Sequence, residues 1–103
     1  MEQIERIQQM EEMLNQATEA MNALSAALDK YDEARTAVNT LDAYYGSDAW
    51  REDFEADEKG LLPAGLKRGV LSEDAIWNML TDYRELNVRM LETVTQTLRK
   101  GEQ

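Results

Sequence analysis

Neither cysteine nor histidine occurs in this chain of 103 residues. Those two absences remove disulfides, thiol catalysis, zinc sites of the Cys/His type and imidazole acid–base chemistry together. Basic residues are few, 11 Lys and Arg against 21 Asp and Glu, giving a formal net charge of −10. Phosphate backbones and anionic lipid are recognised by clustered cations, so neither nucleic acid nor a membrane surface is an expected partner. No apolar run approaches the ~20 residues of a membrane span. The first residues, Met1-Glu2-Gln3-Ile4-Glu5, are acidic and lack the apolar stretch of a signal peptide, so a cytoplasmic location is the expectation. Three serines occur, at 25, 47 and 72. With no histidine to activate them, nothing points to a serine nucleophile. The glycines at 60, 65 and 69 are not followed by Lys-Ser/Thr, so no phosphate-binding loop is expected.

What is present is an apolar content of 43%, enough to argue against general disorder, and a length that fits one domain over residues 1–103 with a modest core. Residues 2–44 predict one long helix. Ile7, Met10, Leu14, Ala17, Met21, Leu24, Leu28, Tyr31, Arg35 and Val38 follow 3–4 spacing, with Arg35 the one polar member, and neither glycine nor proline interrupts the segment. A helix of that length, roughly 60 Å at 1.5 Å per residue, either kinks or pairs along its length. Residues 47–59 predict a short acidic helix capped by Ser47 and stopped by Gly60, with Trp50 and Phe54 on one face. Residues 60–71 are a connector in which Pro63-Ala64-Gly65 reads as a turn. A second long helix is expected over 72–100: Ser72 is its N-cap, Glu73 and Asp74 lie in its first turn, and Leu71 can staple to Ile76. The expected fold is therefore all-α. It is a long antiparallel helical hairpin with a short acidic elbow helix, completed to a bundle by self-association, most simply as a homodimer.

Unusual composition is concentrated in the middle. Between Tyr44 and Tyr83 lie six of the seven aromatics, four of the five glycines and the one proline. Charge is uneven as well: residues 47–60 carry net −4, and residues 61–71 carry only Lys67 and Arg68. The acidic helix and the basic pair are expected to meet. Tyr44, Tyr45, Trp50, Asp53, Asp57, Lys67 and Arg68 form the candidate interaction surface, because aromatics with polar tips and paired charges are what binding hot spots are made of. The same aromatics can equally fill the corner of the fold. A second constellation is metal-like. Glu55 and Glu58 are three apart, as are Asp82 and Glu85, so each pair shares a helix face. Two such pairs facing each other could hold Mg²⁺ or Mn²⁺ in a metal-dependent all-α hydrolase. Solvated acidic faces produce these spacings by chance in so acidic a chain, so no catalytic residue, metal or cofactor is assigned.

Tyr44-Tyr45-Gly46-Ser47, Trp50-Arg51-Glu52-Asp53-Phe54-Glu55-Ala56-Asp57-Glu58, Leu62-Pro63 and the run Leu66 to Asp74 together resemble a bacterial family of small proteins, the domain of unknown function numbered 4298. The resemblance implies a small all-helical bacterial protein and brings no activity, cofactor, partner or catalytic residue with it. The leading expectation is a non-enzymatic protein-interaction module that binds through the elbow or an exposed helix face. The alternatives are the metal-dependent hydrolase and an acidic decoy for a basic partner.

Overall fold

The computed structural model describes residues 2–101; the single domain expected over 1–103 also takes in Met1, Glu102 and Gln103, which lie outside the described residues. The described chain is all-α. Helix α1 covers Glu2–Tyr44, α2 covers Asp48–Glu58, a 3-10 turn covers Gly69–Leu71, and α3 covers Ala75–Gly101. No strand occurs among the described residues. The chain divides into two compact units between Ala37 and Val38.

The first unit is α1 up to Ala37. It forms because nothing interrupts it: no glycine or proline breaks the hydrogen-bond ladder, and Glu2 and Glu5 sit at the positive end of the helix dipole. Every residue from Glu2 to Lys30 is exposed, including its Ile, Leu and Met side chains. Arg35 pairs with Asp32 one turn earlier at 3.3 Å, so the polar member of the apolar stripe is satisfied within its own helix.

The second unit holds the last turns of α1, α2, the connector and α3. Gly46 takes φ +77, the left-handed region that side chains with a Cβ disfavour, and so ends α1. Ser47 then serves both helices. Its hydroxyl donates to the Tyr44 carbonyl at 2.6 Å and accepts the Trp50 N–H at 3.2 Å, capping α2. Helix α2 stops in a Schellman motif. Gly60, at φ +70, donates to Asp57 O, and Leu61 donates to Ala56 O, both at 3.0 Å.

The start of the last helix differs in detail from the sequence reading. Ser72 accepts the Ala75 N–H at 3.1 Å, as a cap should, but Glu73 and Asp74 form a turn and the helix proper begins at Ala75. Ser72 is held by the 3-10 turn before it, donating through its hydroxyl to Gly69 O at 2.9 Å and through its N–H at 3.1 Å. At the far end Arg99 and Lys100 lie in the last turn, where cations suit the helix dipole.

The core is small. Leu71 and Ile76, 6% and 3% exposed, are the buried residues among those described. They flank Ser72, as the staple expected between them requires. Val38, Leu41, Phe54, Leu62, Met79 and Leu80 are half-buried. So little buried area leaves polar contacts a large share of the work of fixing the corner.

Candidate functional site

Four long-range polar contacts build the corner, and they use most of the sequence-nominated residues. Tyr44 closes back over the turn at Gly46 and donates to Asp53 Oδ2 at 2.6 Å. This bond stabilises the neutral phenol. With partial burial and the adjacent Asp53 charge also opposing ionisation, the Tyr44 pKa is pushed up to about 12. Tyr45 donates to the Glu73 carbonyl at 3.0 Å, tying the end of α1 to the turn that precedes α3. The Trp50 indole N–H donates to the Val70 carbonyl at 2.9 Å, tying α2 to the 3-10 turn.

The fourth contact is Arg68, whose guanidinium bonds Asp57 Oδ1 at 2.5 Å and also donates to the carbonyls of Pro63, Ala64 and Leu66 at 2.9, 3.4 and 3.4 Å. The planar fork of arginine can serve α2 and the connector at once; a lysine has no such geometry. Tyr45, Trp50 and Phe54 stack in sequence. The first pair meets edge-to-face at 5.4 Å between ring centres and 71° between planes, and the second is stacked at 5.1 Å and 19°. Each such pair adds about 0.5–1.5 kcal/mol beyond its buried area.

Lys67 is the exception among the nominated residues. Adjacent to Arg68 in sequence, it is exposed and has no ion-pair partner among the described residues. The basic dipeptide therefore splits into one inward cation and one free one. Lys67 edges two neighbouring clefts. One, of about 270 Å³, is bordered by Tyr44, Asp53, Leu62, Leu66, Arg68 and Leu71. The other, of about 350 Å³, is the more apolar: Leu41, Val70, Ala75, Ile76 and Met79 line it, with Gly69 and Lys67 at its edge. These side chains come from three separate segments, and no local pattern joins them.

The nominated carboxylates do not converge. Among the described residues no three acidic side chains gather as a metal ion requires. Asp82 and Glu85 border a separate surface hollow with Leu86 and Arg89, to which Glu55 and Glu58 do not contribute. No helix among the described residues is long and apolar enough to cross a membrane.

The pattern recognised by the family described as Domain of unknown function (DUF4298) extends over residues 7–93, which takes in the whole corner and most of both long helices. The chain belongs to this family. No curated protein and no solved structure matches it. Membership in DUF4298 thus comes with a fold-sized stretch of sequence and no assigned chemistry.

Proposed function

We propose that the protein is a non-enzymatic interaction module, and that a protein partner docks at the corner by placing an apolar side chain in the cleft between Leu41, Val70, Ile76 and Met79. The observation that carries this reading is the free cation at the edge of that cleft. Apolar clefts with one charged group at the rim fix both the depth and the orientation of a docking segment. Lys67 asks for a carboxylate beside the inserted side chain. In this reading Tyr44, Tyr45, Trp50, Asp53, Asp57 and Arg68 hold the cleft's walls in place, and Lys67 meets the partner. A bacterial cytoplasmic setting suits a chain without cysteine.

The test is affinity capture from the native cell followed by calorimetry with the purified partner. Lys67→Glu and Val70→Glu should each weaken binding at least tenfold, while Glu12→Lys, on the exposed face of α1, leaves it unchanged. A partner that binds all three variants alike refutes the proposal. Binding that vanishes with added salt and ignores Val70→Glu would instead favour an acidic decoy that uses the carboxylates of α2.

A further inference from the structure

The first unit carries a second, independent feature. Ile7, Leu14, Met21 and Leu28 fall at every seventh residue, and Met10, Ala17 and Leu24 interleave with them at the other seam position of the same heptad. The large side chains of this set are 43–60% exposed. The row is continuous over residues 7–28, about 33 Å of helix at 1.5 Å per residue. Helices in water owe most of their stability to packing of an apolar face, and this face is unpacked for its whole length. A strict seven-residue repeat matches another helix carrying the same repeat.

The charges beside the seam say which helix that is. In the same heptad Arg6 occupies position g, and Glu11 occupies position e of the following heptad. In two parallel helices in register, position g of one strand meets position e of the other five residues on. Arg6 then faces Glu11 of a second copy, twice per pair by symmetry. The next g positions are Met13, Ala20 and Ala27, and the e positions they face are Thr18, Ser25 and Asp32. No like charges meet. In an antiparallel pair g faces g, and because no g position in α1 is acidic, Arg6 would have no counter-ion in any register. Beyond Leu28 the seam positions are Tyr31 and then Arg35. Arg35 is held by Asp32 of its own helix, and two arginines would oppose each other there, so the apolar seam ends before it.

We propose that α1 pairs with α1 of a second copy as a parallel, in-register two-stranded coil over Ile7–Leu28. The pairing uses the first unit alone and does not depend on the cleft at the corner.

Because the chain contains no cysteine, it supplies its own background for the test. Met10→Cys and Leu24→Cys, made separately in the full-length protein and mildly oxidised at micromolar concentration, should each give a disulfide-linked dimer. Light scattering of the unmodified protein should give twice the chain mass. An antiparallel pair can bring at most one of the two cysteines next to its own copy, so cross-linking of only one, or of neither, overturns the proposal, as does a monomeric or trimeric mass. Because a seam substitution can itself weaken association, a second pair of variants leaves the seam intact. Arg6→Glu and Glu11→Arg should each self-associate at least threefold more weakly than the natural chain, and an equimolar mixture should form the heterodimer in preference to either homodimer. Circular dichroism on each variant separates loss of pairing from loss of helix. A mixture that shows no preference for the heterodimer refutes the parallel register.

Discussion

The Tyr44 hydroxyl and the Asp53 carboxylate, nine residues apart, meet at 2.6 Å across the turn where α1 gives way to α2. Gly46 and Ser47 make the meeting possible: one lets the chain leave the helix, and the other caps the next helix within a single turn. The bond therefore reports on the geometry of the whole turn.

That geometry should be visible in the titration of Tyr44. Its pKa is raised from 10.0 to about 12, first by the hydrogen bond to Asp53, then by burial and by the Asp53 charge. The neutral phenol is the form the fold favours, so the stabilisation is complete below pH 10 and is lost as pH rises through about 12. Absorbance at 295 nm should show a tyrosine step delayed to about pH 12. Asp53→Asn should bring that step back toward its ordinary position, and Tyr44→Phe should remove it. If the natural chain shows no step delayed beyond that of Asp53→Asn, the bond does not form in solution.

Trp50 makes two separable contributions, ring contacts with Tyr45 and Phe54 and a hydrogen bond to Val70 O. Trp50→Phe keeps an aromatic ring and removes the indole donor to the Val70 carbonyl; it should cost about 1 kcal/mol. Trp50→Ala removes both contacts and should cost about 3 kcal/mol. Urea unfolding measures the difference. Equal losses for the two variants would mean that the hydrogen bond, and not the ring, holds α2 to the 3-10 turn.

Gly60 and Gly65 are three residues from the proline on one side and two on the other, yet they should respond oppositely to alanine. At Gly60 the backbone is at φ +70, and its N–H closes the Schellman motif of α2. A Cβ there meets no neighbouring atom, so the expected loss of about 1–2 kcal/mol is purely conformational. Gly65 has neither a positive φ nor a close neighbour, and Gly65→Ala should be neutral or slightly stabilising. Thermal melts of the two variants test this; a neutral Gly60→Ala would show that α2 does not end as described.

The sequence made the helical elements legible because each carries its own punctuation. Unbroken 3–4 spacing marks α1, Ser47 and Gly60 bracket α2, and Ser72 with Leu71 and Ile76 announces α3. The corner was less legible, because its bonds span distances that no periodicity encodes: 9 residues for Tyr44 and Asp53, 20 for Trp50 and Val70, 28 for Tyr45 and Glu73. Composition also placed Lys67 and Arg68 in one basic patch. Neighbouring residues in a connector can face different ways, and only the path of the backbone through Pro63, Ala64 and Leu66 decides which cation those carbonyls and Asp57 will hold.

That division of labour gives the sharpest prediction for the corner. Arg68 and Asp57 are each about seven-tenths buried, and the arginine also satisfies connector carbonyls, so its geometry cannot be reproduced by a single ammonium. Arg68→Lys should destabilise the protein by about 1–2 kcal/mol despite keeping the charge. Lys67→Glu reverses a charge at an exposed position with no partner and should change stability by less than about 0.5 kcal/mol. Chemical denaturation of both variants orders them. The reverse order, with Lys67→Glu the more damaging, would mean that Lys67 and not Arg68 anchors the connector to α2, and the free cation on which the docking proposal rests would not exist.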